Sequence, residues 1–219
     1  MEWPTIVQLS ALAPLPDRYR YEKLQRHDVP ALIAGIRLWH PDIAVGGGSC
    51  YLREAFYDTS VCMGGETRKD VFVGVFKQGE ELIGMWSWER LPETLAIYGR
   101  LIVISPEHRS AKLASAVMPL AERAGRAMGA EFLYGAATLK IPHMQHALER
   151  AGWQLIGFTS GYDCEEVAPG DVRRVFEGVY CKVLVPEDEL VRPDPENLTP
   201  RTRALFDRLF PQAAAGGAP

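Results

Sequence analysis

Four cysteines in 219 residues are few, and Cys50, Cys62, Cys164 and Cys181 lie scattered along the chain. None belongs to a C-x-x-C pair or stands at metal-finger spacing from a histidine. Neither a disulfide scaffold nor a metal site is therefore expected, and the usage fits a reducing cytoplasm. Apolar runs are short, none approaching the ~18 residues that span a bilayer. The start, Met1-Glu2-Trp3-Pro4, lacks the basic and apolar stretches of a secretory signal. The expectation is a soluble cytoplasmic protein that does not engage a membrane. Positive charge is scarce too: 24 Lys and Arg stand against 28 Asp and Glu, a net charge of −4. Proteins that live on nucleic-acid phosphates are normally basic, so nucleic acid is not an expected partner. Any anion bound here needs a local cationic site. What is present is ordinary globular composition, 47% hydrophobic, in a length that suits one large domain with appendages.

Residues 1–18 carry Pro4, Pro14 and Pro16 without a sustained period and form an expected irregular lead-in. Tyr19 to Gln25 is a predicted strand. Asp28 offers an N-cap, Pro30 suits a first helical turn, and Leu32, Ile33, Ile36 and Trp39 recur at helical spacing. Gly46-Gly47-Gly48 suggests a flexible joint, with a short helix over Tyr51 to Tyr57. The stretch from Gly46 to Gly65 is a candidate mobile loop for substrate choice. From Asp70 the pattern turns to strands. Asp70–Lys77 and Glu81–Trp88 flank a tight turn and predict a hairpin. Leu95 to Ile104 is a third, strongly apolar strand. A helix over about 110–128, a strand to Thr138, a helix over Pro142 to Arg150 and strands at Trp153–Gly161 and Arg174–Val185 complete the order. The fold class is α/β (α+β), with a mixed, largely antiparallel sheet of 6–7 strands flanked by helices. Residues 186–219 read as an acidic linker, a short helix near 200–210 capped by Thr199-Pro200, and a disordered tail from Gln212. The apolar stripe Leu205, Phe206, Leu209 and Phe210 packs back on the domain or forms a homodimer contact.

The informative segment is 97–115, IYGRLIVISPEHRSAKLAS, a strand that empties through a loop into a helix. Such a junction presents free backbone N–H groups to an anion. Between residues 99 and 127 five Lys or Arg face two acids. His108, Arg109 and Lys112 crowd a helix end whose dipole favours negative charge, which a bound phosphate would reconcile. Pro119 falls inside this helix and should kink or divide it unless local packing compensates.

The run Ile104-Ser105-Pro106-Glu107-His108-Arg109-Ser110-Ala111-Lys112-Leu113-Ala114 resembles the acyl-CoA-binding motif of the GNAT superfamily of N-acetyltransferases, V-x-P-E-x-(R/Q)-x-x-G-x-(G/A). Leu148-Glu149-Arg150-Ala151-Gly152-Trp153 is similar to the family's Y-E-x-x-G-F ending. The likeness of element order covers residues 19–185. It implies that the amides of Arg109, Ser110, Ala111, Lys112, Leu113 and Ala114 cradle the CoA pyrophosphate. Ile102, Val103 and Ile104 would pair with the pantetheine arm, and the N–H of Val103 or Ile104 would meet the thioester carbonyl. Lys112 stands where the family usually has Gly. The resemblance thus implies direct acyl transfer from acetyl-CoA or another acyl-CoA to the amine of a small molecule or peptide.

Candidates for acid and base are less direct. The family's helix tyrosine is matched here by Leu148, and the strand glutamate by Ile97 and Tyr98. Tyr98 could reach the thioester. His143 and His146, three apart on one helix face, have the side chain best suited to proton transfer near neutral pH. Their H-x-x-H spacing lacks a nearby third ligand, so no metal is expected. Glu89 could act as a base through water. Trp39, Tyr51, Phe56, Tyr57, Trp86 and Trp88 either line an acceptor pocket or fill the core. Two other functions stay open: a transferase for long or carrier-bound acyl groups, and a CoA-binding regulatory module without chemistry.

Overall fold

Runs of apolar and β-branched residues build the strands in the expected order. The computed structural model describes residues 1–5 and 14–211, so 6–13 of the lead-in and the tail 212–219 lie outside the described residues. The chain divides into two compact units, Met1–Leu184 and Val185–Pro219.

In the first unit, β1 (Arg20–Lys23) precedes α1 (Val29–Trp39), α2 (Glu54–Ser60) and β2 (Val61–Cys62). A meander follows, β3 (Val71–Gln78), β4 (Glu81–Leu91) and β5 (Ala96–Ile104). Then come α3 (Leu113–Met128), β6 (Phe132–Thr138), α4 (His143–Arg150) and the long hairpin β7 (Gln154–Ala168) and β8 (Asp171–Val183). The sheet has eight strands in the order β1-β3-β4-β5-β6-β8-β7, with the two-residue β2 beside β3. All neighbours are antiparallel except β5–β6 and β2–β3.

Two cores cover the sheet. Leu113, Val117, Leu120 and Ala124 of α3 and Leu148 of α4 pack with Phe72, Trp86, Trp88 and Ile97 on one face. Val29, Leu32, Ile33 and Ile36 of α1 pack with Tyr51, Tyr57, Val73, Met85 and Val103 on the other. Trp86 and Trp88 are therefore core, as are Tyr51 and Tyr57, rather than the lining of an open pocket.

Three local expectations change. Asp28 sits at the start of α1 without a side-chain cap bond, because its carboxylate takes the buried Lys77 ammonium at 3.2 Å instead. The glycines at 46–48 serve close approach rather than a joint. Gly46 has φ 79°, and a Cβ there would stand 2.2 Å from Asp163 Oδ1. Gly47 N–H donates to that same oxygen at 2.7 Å, docking the turn on β7. Finally, α3 begins at Leu113 rather than 110 and runs undivided through Pro119 to Met128.

The second unit holds α5 (Pro200–Leu209), whose Thr199 hydroxyl accepts from Thr202 N–H as a cap. The rings of Phe206 and Phe210 meet in a tilted arrangement with centroids 5.0 Å apart, and Arg192 lies over Phe206.

Candidate functional site

The site starts from an irregularity in β5. Opposite Ser87 and Trp88 of β4 stand Leu101 and Gly99, leaving Arg100 as an extra residue, a β-bulge. The extra residue reverses which face each later side chain meets. Ile97 packs in the α3-side core, and so do Ile102 and Ile104, an odd number of positions further on.

On its other side β5 pairs with β6 only from Ala96 to Gly99, opposite Phe132 to Gly135. Beyond that the two strands part. Arg100 to Ile104 keep their β4 partners but have none in β6. Ser105 N–H donates to Ile83 O at 2.8 Å. In an antiparallel ladder this makes Ile104–Gly84 a pair whose own amide groups point away from each other. Ile104 N–H consequently faces the gap, whereas the amide of Val103 faces β4. Ile102 shares the orientation of Ile104.

The gap opens beside the first turn of α3. Residues Pro106–Ala111 form a 3₁₀ turn, and Lys112 joins it to the helix with φ 58° and ψ 22°. Here the left-handed conformation that favours glycine is held by a lysine. The first intrahelical bond is Ala116 N–H to Lys112 O at 3.3 Å. The amides of Leu113, Ala114 and Ser115 thus have no acceptor within the helix. Lys112 is exposed, and among the described residues it has no ion pair. Arg109 behaves differently. Its Nε donates to Ile104 O at 3.2 Å and its Nη2 to Trp39 O at 2.8 Å, tying the turn to the end of α1. Its remaining guanidinium hydrogens are the ones left for an anion. His108 shares a hydrogen bond with Tyr19 OH at 3.0 Å.

On the α1 face, Arg100 is half-buried. It pairs with Glu89 at 2.5 Å and lies within 6.0 Å of the Tyr51 ring centre and 5.9 Å of that of Phe56. Glu89 is thereby committed to a guanidinium. Next to this group a cavity of about 200 Å³ is lined by Tyr98, Ala136, Thr159, Tyr162, Glu177 and Val179. Burial pushes the Tyr98 phenol up to about 12, with Glu177 adding to the effect. The Glu177 carboxyl is also raised, by burial first and then by Asp163 and Glu165.

Of the four residues singled out as acid or base, Tyr98, His143, His146 and Glu89, only Tyr98 lines this cavity. His143 and His146 lie exposed on α4, and His146 Nδ1 is 4.0 Å from Glu149. Leu148 is buried in the α3-side core. Gly152, with φ 76°, closes α4 through a bond from Trp153 N–H to Leu148 O, so the Gly-Trp ending has a structural purpose. Glu177 was missed, since in sequence it is one acid among many on an exposed-looking strand. No group of His, Cys, Asp and Glu among the described residues is placed to hold a metal ion. Nor is any helix among them long and apolar enough to cross a membrane.

No family profile matches the sequence, and no curated protein does. Solved structures do match in fold. The ribosomal L7/L12 alpha-N-protein acetyltransferase RimL, in complex with coenzyme A, superposes with a TM-score of 0.61 at 11% identity, over 78% of this chain and 97% of that one. A mutant of spermidine N-acetyltransferase SpeG from Vibrio cholerae gives 0.61 at 13% identity, over 77% and 95%. The ribosomal-protein-S5-alanine acetyltransferase from Vibrio fischeri gives 0.60 at 12%, over 78% and 96%. The chain has the GNAT acyl-CoA N-acyltransferase fold.

Proposed function

We propose that this protein transfers an acetyl or other short acyl group from an acyl-CoA directly to an amine. The observation that carries this is the parting of β5 from β6 immediately beside the uncapped first turn of α3. A strand edge with unpaired amides suits an extended arm carrying its own amides. The amides of 113–115 with Lys112 and Arg109 suit the pyrophosphate at the end of that arm. Ile104 N–H, which faces the gap, would then stabilise the oxyanion that develops on the thioester carbonyl. Direct transfer needs no protein nucleophile, so it calls on none of the four free cysteines. Those free thiols also support a reducing cytoplasm as the compartment. The shared fold, with one matched protein solved in complex with coenzyme A, supports the same donor.

Calorimetric titration with acetyl-CoA and CoA tests this, followed by assay of CoA release with a panel of amines. Binding of both ligands and turnover on at least one amine are expected. Lys112→Ala should weaken binding and flatten its salt dependence. Arg109→Ala should do the same and also loosen the turn from α1. No binding of either ligand by the wild-type protein would sink the proposal.

A further inference from the structure

The cavity beside the strand gap contains one carboxylate that no partner occupies. Among the described residues the Glu177 carboxylate makes no hydrogen bond or ion pair, although those of Glu89, Asp163 and Glu165 nearby are each engaged. Its strand position opposite Thr138 and Thr159 sets it on the wall of a cavity that begins where Gly99 and Gly135 end the β5–β6 pairing. The other walls are apolar or hydroxylic: Ala136, Val179, Thr159 and the rings of Tyr98 and Tyr162. The hydroxyl oxygen of the lining residue Thr159 is buried and has no partner among the described residues.

We propose that Glu177 captures the acceptor as an alkylammonium ion and takes its proton, so that the acceptor class is small cationic primary amines. This rests on the acyl-transfer function proposed above. The charges that face the site favour a cation. Asp163 and Glu165 of β7 add negative potential, and Lys140, which reaches Glu165 only at 3.9 Å, is held by Asp42 at 3.0 Å. Arg100 of β5 is neutralised by Glu89, and Tyr98 and Tyr162 bring aromatic rings to the lining. Half-burial strengthens a carboxylate as a base while leaving it able to ionise, the balance a general base needs.

The steps balance without another reagent. The R–NH₃⁺ proton passes to a Glu177 carboxylate oxygen, leaving R–NH₂. The nitrogen lone pair forms the C–N bond to the thioester carbon, whose oxygen becomes the oxyanion. Collapse breaks the C–S bond, and the departing thiolate takes a proton from the acylated nitrogen, giving the amide and CoA–SH. Glu177 then returns its proton to water.

The test uses the full chain as wild type, Glu177→Gln and Glu177→Asp, with n-butylamine as probe and n-butanol as its uncharged control. Calorimetry without CoA should show n-butylammonium binding weakened about tenfold or more in Glu177→Gln, with n-butanol unaffected. With acetyl-CoA, kcat/KM should fall about 100-fold or more, and the acid limb of the pH profile should vanish. Glu177→Asp should recover part of both, and acetyl-CoA affinity should not change in either variant. Unchanged amine affinity and an unchanged pH profile in Glu177→Gln would overturn the proposal. Wild-type protein that binds the ammonium through Glu177 but does not bind acetyl-CoA would instead overturn acyl transfer, and the base role with it.

Discussion

The sheet has two halves that differ in how they are covered. From β3 to the start of β5 both faces are sealed: every residue from Val71 to Lys77 is buried, and so is every one from Ile83 to Trp88. Beyond the bulge at Arg100 the other half opens out, and β7 contains no buried residue at all. The cavity with Tyr98 and Glu177 lies where the two regimes meet. A rigid wall beside an open one suits the proposed transfer: the first would fix the donor strand, and the second would leave room for an acceptor to arrive.

Substitutions can separate the halves. In the sealed half Trp86 is fully buried among Tyr21, Phe72, Phe76 and Trp88, and its ring fills the space where Gly74 has no Cβ. Trp86→Ala should cost about 3–5 kcal/mol of stability in chemical denaturation. On the open half Phe158 and Phe176 are 62% and 59% exposed, and either change to Ala should stay within about 0.5 kcal/mol. Similar losses from both regions would erase the distinction. At the seam, Gly46→Ala drives a Cβ to 2.2 Å from Asp163 Oδ1 and 2.4 Å from Cys164 O, at a φ hostile to side chains. A loss of about 2 kcal/mol is expected, together with weakened amine binding if the turn shapes the cavity.

A smaller effect of opposite sign is expected at the α3 junction. Lys112→Gly should raise stability by about 1 kcal/mol, because glycine adopts the left-handed conformation without the side-chain penalty. The same change should weaken CoA binding by removing a cation. A variant that gains stability and loses affinity would show that the lysine is kept for its charge.

The sealed half was almost wholly legible in the sequence. The hairpin was placed within one residue at Val71 and Glu81, and α1 was visible from its own buried stripe and Pro30. Both express local periodicity. What escaped notice depends on partners. The two residues of β2 are too few to show a period, and the bulge at Arg100 exists only relative to β4. The break at Lys112 runs against a helical pattern continuous from Ser110, and only a nearby glycine would have announced it. Glu177 becomes distinctive only once Tyr98, Thr159 and Val179 are gathered around it.

Two carboxylates provide the finest test of the contrast, because their shifts run in opposite directions. Burial pushes the Glu22 carboxyl on β1 up, but Lys77 at 2.8 Å and Arg20 at 2.7 Å outweigh it and hold the group below its ordinary value. Its contribution is therefore complete above the unfolded carboxylate value and is lost as pH falls through the lower, folded one. Glu177 has the reverse sign. With its folded value raised, the native state binds the proton more readily than the unfolded chain, so a penalty present at neutral pH is relieved as pH falls through that raised value. Both groups are partly exposed, and screening limits each effect to less than about 1 kcal/mol. Urea midpoints across the acid range should separate them. Glu22→Gln should lie below the wild type at neutral pH and Glu177→Gln above it, each gap narrowing toward acid. If Glu177→Gln were no more stable than the wild type at neutral pH, its carboxylate would be better solvated than the cavity walls require, and the sealed and open halves would differ in packing alone.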